Sequence, residues 1–306
     1  MFSILTALPF MIVSVALRQT PTTQPTPDFQ DAPPVALDAP TTQSSGGGFL
    51  FWPEPAKLDG ALITDRPGFS DSAGLVPRGH AHLELGYVYA HDKEENTHTN
   101  TQNAPGTSLR IGLLDDFELR VKWNGMSYVE RTFQDISPAG RRYTHKQRDD
   151  GGGDMSIGFK MPILKRGGTN LPNISILPAL SIPTGSSSKT TGDVDPEFRF
   201  SWNYPIDSKL TIYGIGSLAS ISDIEGRFAQ ATGSLAASYA VTSKFSLFIE
   251  YFGIYPNTRD SDCSHNLNGG PVYLINDNIQ LDLAVGMGLN EEAPDFFINT
   301  GISFRF

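Results

Sequence analysis

The chain has 306 residues, 39% of them hydrophobic and 10% aromatic, with 30 Gly, 22 Pro and a mean hydropathy of −0.21. That hydropathy is low for a bundle of spanning helices, and a long apolar run occurs only within the first twenty residues, so helical spanning is unsupported while many short strands and turns fit. A formal net charge of −10 argues against nucleic acid, whose phosphates need a basic footprint, and the single cysteine, Cys263, excludes an intrachain disulfide.

Residues 1–16 read as a signal peptide. The stretch from Ile4 to Leu17 is almost wholly apolar yet short for a bilayer, and Ser14 and Ala16 supply the small-x-small spacing that places cleavage after Ala16. The region before it lacks the usual positive charge, and a short membrane anchor is the competing reading. Residues 17–60 are rich in Pro, Thr and Gln and contain Ser44-Ser45-Gly46-Gly47-Gly48. Such a composition buries too little apolar surface to offset its ordering entropy, so a disordered stalk is expected, with Trp52 touching the membrane surface or the barrel rim, or simply exposed.

Residues 61–79 are expected to be ordered, as a lead-in strand or as a plug. Pro67 prevents a continuous ladder. Asp65, Arg66 and Arg78 are the charges such a segment offers to a surrounding wall.

From residue 80 onward the apolar period is two, not 3.6. Strands are expected at 81–91, 107–114, 117–129, 153–164, 172–183, 196–205, 209–222, 228–241, 244–255, 267–276, 279–290 and 295–306. In the third, Phe117, Leu119, Val121 and Trp123 alternate with Glu118, Arg120, Lys122 and Asn124. Three charges on one face rule out a dry core there. Phe198, Phe200, Trp202 and Tyr204 repeat the pattern, as do Leu281, Leu283, Val285 and Met287, and finally Phe296, Ile298, Ile302, Phe304 and Phe306.

A soluble β-sandwich also alternates, so the connections must decide. Asp115-Asp116, Lys165 to Asn170, Ile206 to Ser208, Thr242-Ser243 and Asp277-Asn278 are short turns. Between them lie mostly longer, polar connections, notably Asp92 to Gly106, Glu130 to Gly152, Thr184 to Asp195 and Pro256 to Asn266. Short turns at one end and long loops at the other are the mark of an outer-membrane barrel. The expected fold is therefore all-β: a transmembrane up-and-down antiparallel β-barrel of about 12 strands over 80–306, both termini periplasmic, preceded by a disordered segment.

On the inward faces fall His82, Glu84, Arg110, Glu118, Arg120, Lys122, Lys160, Arg199, Glu250, Gln280, Asp282, Asn299 and Arg305, the candidate water-facing lumen lining. These groups would set the selectivity of a path, or pair across the lumen and seal it. About twelve strands implies a narrow pore or a partly plugged tube. Phe306, ending a strand of alternating apolar residues, fits an assembly signal for the outer-membrane insertion machinery.

Enzymatic motifs are weak. No Gly-x-Ser-x-Gly elbow or His-Glu-x-x-His helix occurs, and His91, His98, His145 and His265 fall in or near external loops. Asp149-Asp150-Gly151-Gly152-Gly153-Asp154 hints at calcium but occurs once, favouring a tight loop end. Cys263 sits alone in an external loop. No enzyme activity, cofactor or metal is expected.

The run Ile63-Thr64-Asp65-Arg66-Pro67-Gly68-Phe69-Ser70-Asp71-Ser72, then Val76-Pro77-Arg78-Gly79 and the strand from His82 to Tyr89, resembles the opening of the outer-membrane transporters grouped as the MetA-pathway phenol-degradation family. Gly153-Asp154-Met155-Ser156-Ile157-Gly158 and Leu180-Ser181-Ile182-Pro183-Thr184-Gly185 resemble its interior strands. The resemblance covers Ile63 to Phe306 and implies an outer-membrane barrel passing small molecules; hydrophobic or aromatic solutes follow from the family label, not from these residues. The expected function is passive movement of small molecules across the bacterial outer membrane, with outer-membrane lipid and the assembly machinery as partners. The competing reading is a sealed structural or adhesive surface barrel.

Overall fold

The computed structural model describes residues 53–306 apart from 137–141, 168–169, 224–225 and 258–261. The expected signal peptide at 1–16 and residues 17–52, including Trp52, lie outside the described residues. Fourteen ladder segments run in order: β1 Ala81–Glu94, β2 Thr97–Leu114, β3 Phe117–Trp123, β4 Met126–Ile136, β5 Arg142–Gly152, β6 Met155–Leu164, β7 Asn173–Ile182, β8 Asp195–Pro205, β9 Leu210–Asp223, β10 Gly226–Ala240, β11 Phe245–Pro256, β12 Ser264–Asn276, β13 Ile279–Gly288 and β14 Phe296–Arg305. β3 and β4 both pair with β2 and are two halves of one wall strand, interrupted at Asn124 and Gly125, where Gly125 has φ +79°. β5 and β6 form a second divided strand, paired to β4 and β3. The wall therefore has 12 strands.

Closure follows from β1, which pairs antiparallel with β2 on one side and β14 on the other. No sheet edge is left in the belt, so the backbone groups find partners inside the wall, as hydrocarbon demands. The alternation then sorts side chains. Along β13, Leu281, Leu283, Val285 and Met287 are exposed while Gln280, Asp282 and Ala284 are buried. Phe198, Leu218, Leu235 and Ile249 carry the same apolar outer face around the barrel.

The short turns gather at one end and are built by local side-chain bonds. Asp207 accepts the N–H groups of Lys209 and Leu210, Thr242 those of Lys244 and Phe245, and Asn276 that of Asn278. The C-terminus is at this end too, where Ala81 and Phe306 exchange backbone bonds at 3.1 and 2.9 Å.

The opposite end differs from expectation. The connections expected at 92–106 and 130–152 are largely ladder: β1 and β2 pair out to Glu94 and Thr97, and β4 and β5 pair from Met126 and Gly152 to Ile136 and Arg142. β12 likewise begins at Ser264, inside the loop expected at 256–266. Consequently His98, His145 and His265 stand on β2, β5 and β12 rather than in loops, and His91 lies within β1 rather than at its end. These extensions are polar on both faces, so the period of two that marks a lipid-facing strand is missing from their sequence.

Candidate functional site

Inside the barrel lies an irregular stretch from Leu62 to Val76. It leaves the rim where Leu62 N–H bonds Asp277 O at 2.8 Å, and Thr64, Asp65, Arg66, Ser70 and Asp71 have no solvent exposure. A non-repetitive backbone in such surroundings must find partners for its N–H and C=O groups. Wall side chains provide them. Glu84 accepts Asp65 N–H (3.0 Å), Glu250 accepts those of Phe69 (2.6 Å) and Ser70 (2.8 Å), and Glu118 accepts that of Val76 (2.8 Å). Ser175 donates to Ala73 O, Ser201 to Ser72 O, and Arg110 and Lys160 to Gly74 O. The stretch thus spans the lumen from β1 to β11, and Asn299 on β14 completes the ring through Pro67 O.

Its charges are matched by wall charges. Arg66 reaches Asp282 at 2.9 Å and the Asn299 amide oxygen at 2.7 Å. Gly301 permits this approach, since a Cβ there would lie 2.3 Å from Arg66 Nε. Asp65 faces Arg120 at 2.5 Å, Lys160 at 3.3 Å and Arg110 at 3.4 Å. Asp71 faces Arg120 at 2.9 Å, Lys122 at 3.2 Å and also Arg199. On the wall itself, Glu118 pairs with Arg110 and Arg120, Glu84 with Arg110, and Glu197 with Arg199.

The tip carries an apolar anchor. Phe69 stacks on Phe252 with ring centroids 4.2 Å apart and planes 8° from parallel, and Phe297 meets Phe252 edge-on at 6.1 Å. Ala90 and Ile215 complete this buried cluster. The wall cations thus gather on β2, β3, β6 and β8, and the apolar cluster lies against β9, β11 and β14, where Glu250 and Asn299 also bond the stretch.

The remaining expected lining residues also point inward. Gln280 donates to Thr64 Oγ1 at 2.9 Å, and the His82 ring lies 3.2 Å from Ile63 O. Arg305 sits at the rim, bonded to Asn278 and Gly60 O. One expectation is corrected. The lining was expected to face water, yet Arg110, Glu118, Lys160, Glu250 and their neighbours are buried against the inserted stretch. Arg78 pairs with Asp115 in a rim turn at 3.0 Å, whereas Asp65 and Arg66 pair inside the lumen, because the chain has left the lumen by Pro77. Phe306 is 68% exposed on the outer face, beside Phe304.

Sequence reading missed Phe69, Ser70 and Asp71 of the stretch, and Ser175, Glu197, Ser201, Phe252 and Phe297 of the wall. The doublets Tyr251-Phe252 and Phe296-Phe297 were the available signal: two successive apolar residues in an alternating strand send one of them inward. The serines carry no such mark.

Elsewhere, the ring of His265 bonds the Tyr251 hydroxyl at 2.6 Å and His91 lies beside His98. Asp149 is paired with Lys189, and Asp154 accepts the N–H groups of Gly185 and Thr191, so their oxygens serve the protein. Among the described residues, no group of three or more His, Cys, Asp or Glu side chains is placed to hold a metal.

A closed 12-strand barrel with an apolar outer belt, short turns and the C-terminus at one end and polar hairpins at the other defines a bacterial outer-membrane β-barrel. The chain belongs to the family described as "Putative MetA-pathway of phenol degradation", whose model matches residues 64–306. Among solved structures it is similar to the COG4313 outer membrane channel from Pseudomonas putida F1, with 13% identity and a TM-score of 0.56, over 79% of this chain and 99% of that one. The NanC porin aligns with 9% identity and a TM-score of 0.44 over 73% and 98% of the two chains. The translocator domain of the autotransporter NalP from Neisseria meningitidis aligns with 9% identity and a TM-score of 0.47 over 74% and 88%. No curated protein matches the chain in sequence.

Proposed function

We propose that the protein is a passive outer-membrane channel for small molecules, closed in the described state by the stretch from Leu62 to Val76. One observation carries the reading. The stretch is held in the lumen by side chains of a wall whose own ladder closes without it, so its departure would unzip no strand pair. The fold shared with the COG4313 outer membrane channel supports the same reading. The lining residues from His82 to Arg305 then act as the selectivity surface, and Phe252 and Phe297, uncovered when Phe69 leaves with the stretch, give that surface an apolar side suited to solutes with a hydrophobic or aromatic part. Phe306 acts as the assembly signal and residues 1–16 as the export signal. The protein has no enzymatic role in this reading.

A sealed structural barrel is the second reading, favoured by the complete burial of Asp65, Arg66 and Asp71. Planar-bilayer recording of the full mature chain and of a form lacking residues 64–79 separates the two. Discrete openings that grow larger in the deleted form are expected; a folded deletion protein with unchanged conductance rules the stretch out as the closing element.

A further inference from the structure

Five wall cations, Arg110, Arg120, Lys122, Lys160 and Arg199, converge on one side of the lumen. The wall there supplies three carboxylates, Glu84, Glu118 and Glu197. On this side of the lumen the two further negative charges are Asp65 and Asp71 of the stretch, while two other wall carboxylates, Glu250 and Asp282, lie on β11 and β13 and bond the stretch backbone and Arg66. Both contact the same Nη2 of Arg120. On the facing side the same stretch inserts the Phe69 ring against Phe252.

We propose that the wall contains a binding site for small organic anions, a carboxylate head on an apolar or aromatic body, and that the stretch occupies this site as an internal mimic of its solute. The proposal rests on the channel reading above and deepens it by naming the solute class. Displacing the stretch takes Asp65 and Asp71 away from these five cations, so this side of the lumen is left with a local excess of two positive charges, a field that attracts an anion. Guanidinium groups suit that task because their planar donors match a carboxylate. The Phe252 and Phe297 rings would take the body of the same molecule. Solute and stretch therefore compete: an arriving anion offers the charge and the ring that Asp65, Asp71 and Phe69 supply in the closed state.

Binding in detergent tests the site without requiring transport. Benzoate and benzyl alcohol, nearly equal in shape but differing in charge, are titrated by calorimetry into the full mature chain and into Asp65→Asn/Asp71→Asn, with heat-dependent gel mobility reporting the fold. The wild type is expected to bind benzoate at least tenfold more tightly than benzyl alcohol, and the double variant to bind benzoate about tenfold more tightly again with benzyl alcohol unchanged. Equal affinities of the two probes for the wild type overturn the proposal, as does a folded double variant with no gain for benzoate. If the double variant does not fold, the wild-type comparison and the single variant Asp71→Asn decide in the same sense. Bilayer recordings keep the two readings apart: a silent protein that discriminates benzoate retains the site and loses the channel, whereas a conducting protein that treats the probes alike retains the channel and loses the site.

Discussion

Arg66 and Asp282, 216 residues apart, meet at 2.9 Å with neither side chain exposed, the first on the inserted stretch and the second on β13. Removing one member of such a pair leaves a buried charge uncompensated and costs about 3–5 kcal/mol, whereas replacing both by apolar groups costs less. Asp282→Asn is therefore expected to loosen the stretch, and Arg66→Met/Asp282→Leu to loosen it less. A cysteine placed at Ala73, in a chain whose free Cys263 is replaced by Ser, reports the release as faster thiol labelling. Labelling of Asp282→Asn no faster than its parent counts against a role for this pair in holding the stretch.

The Phe69 ring should be the apolar counterpart of that latch. Truncating a buried Phe costs about 3–5 kcal/mol through lost contacts and the cavity left behind. Phe69→Ala is expected to raise both labelling at residue 73 and the open fraction in bilayers. Phe69→Leu, which refills part of the space beside Phe252, should fall between the two. Equal behaviour of all three would mean that the polar contacts alone hold the tip.

Leu218 is 59% exposed on the outer face of β9, beside the inward Ser217. An arginine there faces hydrocarbon and is expected to destabilise the barrel by about 2–4 kcal/mol. Tyr143→Arg, on the exposed β5 extension, should stay within about 0.5 kcal/mol. Urea titration of the protein folded into vesicles measures both, and a neutral Leu218→Arg would misplace the belt.

At the rim, the N–H groups of Lys209 and Leu210 hold the Asp207 carboxyl below the usual aspartate range. A lowered value means that its contribution to the turn is complete above the unfolded-state pKa and lost as pH falls through the folded-state one, below about pH 4. Carbon NMR of the Asp207 carboxyl should give a midpoint below that of an unstructured peptide; a midpoint at or above it would place the side chain outside the turn.

The legible parts of this chain are those in which a local pattern answers to a one-dimensional environment. Hydrocarbon outside and a polar interior impose a period of two on Leu281 to Met287 and on Phe296 to Phe306, and paired Asp, Asn and Thr residues mark the rim turns. Where polar side chains occupy both faces, as along Thr97 to Asn103 and Thr144 to Asp150, the pattern vanishes although the ladder continues.

By itself, then, the order of residues determined that the chain closes as a barrel, which faces of its strands turn inward, and that residues 64–79 carry charges and a proline at odds with a strand. Only the tertiary structure decided that Asp65 and Asp71 meet Arg120 of β3, that Arg66 meets Asp282, and that Phe69 rather than a wall residue stacks on Phe252. The reason is physical: a ladder repeats the same bond at every step and so leaves a periodic trace, whereas an irregular stretch is held by single contacts across the lumen, each depending on where the curved wall brings a distant side chain.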